Sequence, residues 1–275
     1  MLRAHPGRCY HPPMADLHGD AGEARRSADD WAQLLKDNWE KRSRSDKRDF
    51  YVASHPGWNN PQRWSLQARR DVDLMLYQVD PQALSAWNVL EIGCGVGRLA
   101  LPLAERVSHY TGVDIAAGMV EEARARCAGH ENVRFFVSDG AGLPEGARDR
   151  RYELMLALAV FIHCPRNVIA SLVRAGYDQL APGGQLRFQV LADPNDPTGI
   201  SSLEDAAVAH EEIEEMEAAA TDDERELIDG HYYMGDAFRY DELAPFLVEA
   251  TGGEGVPMLL RPDLAHIYGW VERPR

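Results

Sequence analysis

The sequence lacks the patterns that mark several other classes of protein. Its four cysteines, at positions 9, 94, 127 and 164, form no Cys-x-x-Cys pair, so neither a zinc site nor a disulfide framework is indicated. No apolar run approaches the roughly 18 residues of a membrane span, and no apolar stretch near the N-terminus resembles a secretory signal. We therefore expect a soluble, cytoplasmic protein that binds no metal and contacts no membrane.

Positive charge is also scarce. The chain has 29 lysine and arginine residues against 44 aspartate and glutamate residues, which gives a formal net charge of −15. Such a negative field repels the phosphates of nucleic acids and anionic lipids. The richest basic segment, 42–48, is interrupted by Ser43, Ser45 and Asp46 and is interpreted as a solvated helix end. We therefore expect no nucleic acid partner.

Hydrophobic residues make up 45% of the 275 positions, which suffices for a core, and their spacing divides the chain into regions. Residues 1–27, rich in glycine, proline and charge, are predicted to be a flexible tail. Residues 28–79 contain two helical patterns and are predicted to form an N-terminal cap. Residues 80–275 are predicted to form the main domain. An acidic helical insertion at about 194–235 would either cover the site as a lid or lie outside it as a solvated helix.

Strand and helix patterns alternate from residue 87 onward, as expected for a parallel sheet. Strands are predicted at 88–93, 110–114, 133–137, 154–161 and 185–191. Helices are predicted at 99–107, 119–128 and 167–180, followed by a helix at 240–250 and two closing strands at 258–260 and 266–272. The chain is therefore predicted to be an α/β protein.

The most informative segment is 89–99, where a strand ends in glycines and turns into a helix. Such a turn lets the backbone approach a ligand closely and offers free amides at the helix N-terminus. In the dinucleotide fingerprint G-x-G-x-x-G the third glycine would stand at Arg98, one residue after Gly97. Glu91, two residues before Gly93, suits a cationic amino group and would repel a pyrophosphate. Both features weaken a dehydrogenase interpretation.

This segment resembles the first motif of class I S-adenosylmethionine-dependent methyltransferases, which reads acid, small or apolar, Gly, x, Gly, x, Gly. Segments 110–114, 133–140 and 152–163 resemble three further motifs in the order found in the family, and 180–184 resembles its turn before the fifth strand. The resemblance implies a three-layer, Rossmann-like fold with a seven-stranded, mostly parallel sheet, here with N-terminal helices and an acidic helical insertion. It also implies S-adenosyl-L-methionine as the cofactor.

The same resemblance implies a set of cofactor-binding residues. Asp114 would accept hydrogen bonds from both ribose hydroxyls. Ile115 and Met119 would pack on the adenine, although Met119 also fits an ordinary helix core. Asp139 would accept from the adenine amino group, unless it only caps a turn or helix, and the Gly140 amide would meet a ring nitrogen. The full set comprises Glu91, Gly93, Cys94, Gly95, Gly97, Asp114, Ile115, Met119, Asp139, Gly140, Ala157 and Leu158.

His163 is the candidate catalytic residue. Methyl transfer from a sulfonium is an in-line displacement, in which the protein positions the acceptor and, for a hydroxyl, removes its proton. His163 follows the fourth strand at the carboxyl edge of the sheet, where ligands bind in such folds, and imidazole accepts protons near neutral pH. The alternatives are that His163 caps the loop before Pro165 or only lines the pocket.

Other side chains are candidates for the acceptor pocket or for the methionine carboxylate. Five aromatic or histidine residues would shape the acceptor pocket, although each also fits a packing role: Tyr51, Trp58, His231, Tyr232 and Tyr233. Arg63 or Arg98 would meet the methionine carboxylate, and the sequence does not select between them.

The acceptor is predicted to be a small molecule. The fourth motif lacks the Asn-Pro-Pro-Tyr type of segment that in the family accompanies methylation of amide or exocyclic amine groups in nucleic acids and proteins. This lack and the negative charge favour a small acceptor, and the resemblance implies O- or N-methylation in natural-product or secondary metabolism. The alternatives are a non-catalytic cofactor-binding regulator or partner protein, a methyltransferase acting on a macromolecule, and transfer of another group such as an aminopropyl group. The sequence indicates no oligomeric state.

Overall fold

The computed structural model describes residues 27–53, 58–193, 195–196, 198, 235–260 and 265–275. The predicted tail lies outside these residues except for Ser27, and so does the predicted acidic insertion except for a few residues at its two ends. His231, Tyr232 and Tyr233 also lie outside them. No helix in the described ranges is long and apolar enough to cross a membrane.

Eight strands form one sheet. They are β1 Asn88–Ile92, β2 His109–Asp114, β3 Val133–Val137, β4 Tyr152–Ala157, β5 Leu180–Ala192, β6 Ala237–Phe238, β7 Val256–Leu260 and β8 His266–Glu272. Seven follow the order β3-β2-β1-β4-β5-β8-β7, and the two-residue β6 pairs with β5 beside this path. Strand β8 pairs antiparallel with β5 and β7, and the other strand pairs of the described ranges are parallel. The predicted mostly parallel sheet is confirmed, with β6 as an eighth strand.

Eight helices accompany the sheet in the described ranges. They are α1 Ala28–Ser43, α2 Arg48–Ala53, α3 Pro61–Met75, α4 Pro81–Leu84, α5 Ala100–Ala104, α6 Ala117–Arg126, α7 Arg166–Gln179 and α8 Tyr240–Ala250. Local chemistry fixes where two of them begin. The Ser27 hydroxyl accepts the Asp30 amide at 3.1 Å while the Asp30 carboxylate accepts the Ser27 amide at 3.2 Å, which is a capping box. Asn60 caps α3, whose first residue is Pro61.

The strands bury alternate residues on two faces, which creates three layers. On one face, Leu90 and Met155 pack with residues of α7 and α8. On the other, Val89 and Leu154 pack with residues of α3, α5 and α6. Strands β1 and β4 are buried on both sides, as expected for central parallel strands. The predicted three-layer α/β fold is confirmed.

Helix α1 connects the two faces at the carboxyl edge of the sheet. It contacts α6 on one side and α7 on the other. The Gly118 amide near the start of α6 donates to Glu40 at 3.5 Å, and Leu35 is buried in the same cluster as α7. The N-terminal helices therefore cover the ends of the strands where ligands bind in such sheets.

Two predicted strand boundaries differ from the structure by four or five residues, for local reasons. The fourth strand was predicted to reach residue 161 but ends at Ala157, because Ala159 has a φ of +55° and leaves the strand conformation. The fifth strand begins at Leu180, five residues earlier than predicted. Pro182 and Gly183 form an irregularity inside the β4–β5 pairing instead of a turn before it.

The two ends of the predicted insertion lie side by side at the carboxyl edge. The Asp193 amide donates to the Phe238 carbonyl at 2.8 Å, so the chain before and after the insertion is joined by a backbone hydrogen bond. The Asp236 carboxylate accepts the Arg166 amide at 2.8 Å, which ties the returning chain to the start of α7. The insertion therefore leaves and re-enters the fold near the loop that follows β4, and a lid function for it remains a prediction.

Candidate functional site

One cavity collects most of the predicted site residues at the carboxyl ends of β1, β2 and β4, beneath α1 and α2. Its wall includes Glu91, Gly93, Cys94, Gly95, Asp114, Ile115, Met119, Gly140, Leu158 and His163. These residues come from segments up to 72 positions apart, which the parallel strands bring to one edge. Gly97, Asp139 and Ala157 belong to the predicted set but do not line this cavity.

The glycine turn after β1 takes a backbone conformation that other residues avoid. Gly93 and Gly97 have φ angles of +69° and +78°. A Cβ at Gly93 would lie 2.3 Å from a methyl carbon of Val160, in the loop after β4. A Cβ at Gly97 would instead lie 3.3 Å from the Cβ of Ala123 on α6. Gly93 therefore faces the cavity, whereas Gly97 allows close packing of the turn on α6.

Glu91 is a buried carboxylate at the end of β1. Its exposed fraction is 3%, and its Oε2 accepts a short hydrogen bond from the Tyr110 hydroxyl on the neighbouring strand β2. Burial raises the pKa of Glu91 to about 7, although the Tyr110 hydroxyl and the Arg98 charge both oppose this rise. A cation placed beside Glu91 would recover the free energy that burial of this carboxylate costs.

Arg98 also lies in the cavity wall, and Arg63 does not. Arg98 is 8% exposed and forms an ion pair with Asp71 of α3, with a short contact between its Nη1 and Oδ2 of the aspartate. Arg63 is exposed on the same helix. The structure therefore places Arg98 at the cavity, and the charge of Arg98 is already balanced by Asp71.

Asp114 ends β2 and holds two segments in place. Its Oδ2 accepts the Gly95 amide at 2.9 Å and its Oδ1 accepts the Ala116 amide at 2.9 Å. Burial raises the pKa of Asp114 to about 6, against the opposing effect of these amides. Each carboxylate oxygen has a second lone pair. Asp114 can therefore accept two further hydrogen bonds from a ligand.

The loop after β3 contributes Gly140 and Ser138 to the wall. The Ser138 hydroxyl accepts the Gly140 amide at 3.0 Å and donates to the Gly142 carbonyl at 2.8 Å. Asp139 instead accepts the Ala141 amide at 3.0 Å with its Oδ1, on the outer side of the loop. The geometry therefore fits the turn-capping alternative for Asp139.

The loop after β4 is held in an uncommon conformation by the next strands. Ala159, with its φ of +55°, donates its amide to Oε1 of Gln189 on β5 at 3.1 Å. The Gln189 amide nitrogen donates to the Tyr268 hydroxyl on β8 at 3.0 Å. A non-glycine residue at positive φ costs free energy that the surrounding contacts must offset. This pair of side chains therefore fixes the part of the wall that follows β4.

His163 lies in a 3-10 turn at the far side of the cavity. It is 4% exposed, and its ring centroid lies 5.2 Å from that of Trp39 on α1, at an angle of 74°. Tyr51 of α2 also lines the cavity. Trp58 packs instead on Phe50, with ring centroids 6.2 Å apart, and is outside the wall.

The site contains residues that the sequence analysis did not identify as functional. Trp39, Tyr110, Ser138 and Gln189 each line the cavity or hold a residue that does. Of these four, only Tyr110 could have been predicted from the sequence. It lies on β2 opposite Val89, two residues before Glu91, and therefore on the same face of the sheet as Glu91. The others depend on how separate elements dock.

Neither a metal cluster nor an activated thiol is found among the described residues. No group of three or more metal-ligating side chains occurs in these ranges. Cys94 and Cys164 line the cavity as free, buried thiols, and burial raises the pKa of Cys164 to about 12. The Cys164 thiol is therefore protonated at neutral pH and is a poor nucleophile.

Sequence comparisons identify similar proteins. Residues 89–184 match the model of a family described as a methyltransferase domain. The chain is 30% identical to trans-aconitate 2-methyltransferase of Paracidovorax citrulli over 218 residues, and this alignment covers 78% of each chain. It is 37% identical over 106 residues to aklanonic acid methyltransferase DauC of Streptomyces sp. (strain C5), covering 37% of this chain and 46% of DauC. The chain thus spans less than half of DauC and of other curated relatives that it matches.

A solved structure shares the fold. The complex of DhpI with SAM and HEP superposes with a TM-score of 0.55 over 91% of this chain and 100% of DhpI, at 17% identity. At this identity the likeness extends to the fold alone. The fold is therefore shared with a protein whose structure has been solved as a complex with SAM and HEP.

Proposed function

Because this chain belongs to the class I S-adenosylmethionine-dependent methyltransferases, we propose that it binds this cofactor in the cavity and methylates a small molecule. S-adenosylmethionine supplies an electrophilic methyl group on a sulfonium cation. The observation that carries the proposal is the pair of buried carboxylates, Glu91 and Asp114, at the ends of adjacent strands in one cavity.

The two carboxylates fit the polar parts of the cofactor. Glu91 is buried with a raised pKa, and we assign it to the ammonium group of the methionine moiety, whose charge would stabilise the ionised form. Asp114 has a free lone pair on each oxygen, and we assign it to the two ribose hydroxyls. Gly93 leaves the space that such a ligand needs, since a Cβ there would already meet Val160.

The apolar part of the wall fits a flat aromatic ring. We assign Ile115, Met119 and the Gly140 backbone to the adenine. Asp139 is assigned to holding its loop, because its carboxylate accepts amides within that loop. We likewise assign Gly97 and Ala157 to packing beneath the site, and Cys94, Gly95 and Leu158 to its wall.

We assign the acceptor to the side of the cavity formed by His163, Trp39 and Tyr51. His163 would accept the proton of an acceptor hydroxyl, at a site where burial excludes water. The names of the P. citrulli and Streptomyces relatives give small molecules as their acceptors, which supports the same class here. The proposal extends to transfer onto oxygen or nitrogen of a secondary metabolite.

We also propose that residues 28–79 act as a cap over this site, because α1 and α2 supply part of its wall. The three described cysteines are free thiols, which supports a location in the reducing cytoplasm.

The proposal is tested by calorimetry with S-adenosylmethionine, followed by measurement of S-adenosylhomocysteine release with a panel of hydroxylated and aminated metabolites. We expect one cofactor per chain and release that depends on the acceptor. Binding without release across the panel would favour the non-catalytic alternative. Failure to bind the cofactor would contradict the proposal.

His163 is tested separately with the productive acceptor at saturation. We expect His163→Ala to lower turnover by about 100-fold or more, the usual contribution of a general base, and to leave cofactor affinity unchanged. His109→Ala is the matched control, because His109 is exposed at the opposite end of β2. Equal turnover in the two variants would remove the proton-accepting role from His163.

A further inference from the structure

Arg42 of α1 lies over two aromatic side chains of the cavity wall and is not itself a wall residue. Its guanidinium carbon lies 4.8 Å from the centroid of the Trp39 ring and 5.1 Å from that of Tyr51. Both rings line the cavity. Stacking of this kind fixes the plane of a guanidinium group and leaves its N–H donors pointing outward along the edges.

Within the described part of the chain, the other arginines around α1 and α2 have carboxylate partners, whereas Arg42 has none. Arg44 pairs with Glu40 at 2.8 Å, Arg48 with Glu122 at 2.9 Å, and Arg126 with an aspartate of α2 at 2.7 Å. No ion pair involves Arg42 within the ranges that the structure describes. Arg42 is half-buried, and this burial lowers its pKa, which means that its charge has lost hydration without gaining a counter-ion.

The charges of the cavity are distributed unevenly. Glu91 and Asp114 stand at the ends of β1 and β2, where the proposed cofactor would lie, and Arg98 is already neutralised by its ion pair. Arg42 is linked to the region of His163, because its stacking partner Trp39 contacts that histidine, and Trp39 also packs on Ala116 and Met119 after the end of β2. The unbalanced positive charge therefore adjoins the region assigned to the acceptor.

We propose that Arg42 binds a carboxylate of the acceptor, so that the molecules methylated here are small carboxylic acids. A planar guanidinium fixed by two rings can donate two parallel hydrogen bonds to one carboxylate, which orients as well as attracts the ligand. This inference rests on the proposed function. The methionine carboxylate of the cofactor is a second source of the same chemistry, and the experiment separates the two.

The experiment uses the full chain loaded with S-adenosylhomocysteine and measures ligand affinity by calorimetry. The probes are two carboxylates with their neutral counterparts: trans-aconitate with its trimethyl ester, and salicylate with salicylamide. The variants are Arg42→Met, Arg42→Lys and the control Arg44→Met, which removes an exposed arginine two residues later, at the C-cap of α1. Thermal unfolding of each variant checks that it is folded. If Arg42→Met does not fold, the comparison of Arg42→Lys with the wild type still tests the inference.

We expect the wild type to bind at least one carboxylate more tightly than its neutral counterpart. Arg42→Met should weaken that binding by roughly 10- to 100-fold, the usual range for a hydrogen-bonded charged group. Arg42→Lys should lie between the two, because it keeps the charge but not the planar pair of donors. Arg44→Met, the neutral probes and the affinity for S-adenosylhomocysteine should change by less than about twofold.

Three results would overturn the inference. One is a wild type that prefers neither carboxylate while it still binds S-adenosylhomocysteine, which would leave the proposed function intact. Another is an equal effect of Arg42→Met and Arg44→Met. The third is weaker binding of S-adenosylhomocysteine by Arg42→Met with unchanged carboxylate binding, which would assign the arginine to the cofactor. A wild type that does not bind S-adenosylhomocysteine would overturn the proposed function itself.

Discussion

The affinity for the cofactor should fall as the solution becomes acidic, because Glu91 must be ionised to pair with an ammonium group. Burial raises the pKa of this carboxyl to about 7. Below that pH most molecules carry a neutral Glu91, and binding must then also remove a proton. The direction follows from linkage: the ligand favours the ionised form, so protonation competes with binding.

The size of this effect follows from the pKa values. At about pH 5.5 a group with a pKa of about 7 is ionised in roughly one molecule in 30. Protonation of Glu91 alone should therefore make the affinity for the cofactor about 30-fold lower at about pH 5.5 than at about pH 8.5. Asp114, with a pKa of about 6, should add a factor of about four over the same interval.

Calorimetric titration with S-adenosylhomocysteine across this pH range measures the effect, since this product has the same amino acid, ribose and adenine groups. Glu91→Gln should bind more weakly at high pH and keep only the factor of about four that belongs to Asp114. Tyr110→Phe removes the hydroxyl that lowers the pKa of Glu91, and should shift the wild-type curve to higher pH. A flat wild-type curve, or an equally steep one for Glu91→Gln, would refute the reasoning.

Three other perturbations have expected outcomes. Gly93→Ala should weaken S-adenosylhomocysteine binding by more than about tenfold, because the added Cβ would lie 2.3 Å from a valine methyl and the residue has a φ of +69°. The control Gly129→Ala should leave binding unchanged, since no atom lies within 4 Å of its added Cβ. Calorimetry compares the affinities of the two variants. Gln189→Ala leaves the Ala159 amide without its acceptor and should lower turnover at saturating substrates while costing about 1–3 kcal/mol in denaturant unfolding. For the empty protein, the raised pKa of Glu91 means that its stability contribution is present below the unfolded pKa and lost as pH rises through about 7. Glu91→Gln should therefore gain about 3 kcal/mol in unfolding free energy relative to wild type at about pH 8, and equal pH profiles for the two proteins would contradict this.

The sequence predicted most of the sheet, because each strand has its own local signal. The segments 133–137, 240–250 and 266–272 were predicted with the bounds that the structure has. The end of β4 was missed because it depends on the hydrogen bond between Ala159 and a side chain of β5. The early start of β5 was missed because proline and glycine, which predict a turn, occupy an irregular part of a paired strand.

The sequence predicted those parts of the candidate site that follow from the topology of a parallel sheet. Glu91, Asp114 and His163 each follow or end a parallel strand, and the carboxyl ends of such strands meet at one edge. Trp39 lies within the predicted N-terminal cap, but nothing local in the sequence shows that α1 lies across the sheet. The Asp139 carboxylate lies on the outer side of its loop, because it accepts hydrogen bonds from two backbone amides of that loop. Its position directly after β3 in the sequence does not show this.

The measurement that tests the central claim most directly is the affinity for S-adenosylmethionine of the wild type, Asp114→Ala and Asp139→Ala at about pH 8.5. Both variants remove an aspartate that follows or ends a neighbouring strand, but only Asp114 lines the cavity. We predict one site per chain in the wild type, a loss of about 100-fold in Asp114→Ala from two charge-assisted hydrogen bonds, and a change below about threefold in Asp139→Ala. Absence of binding by the wild type, or a larger loss in Asp139→Ala than in Asp114→Ala, would contradict the account.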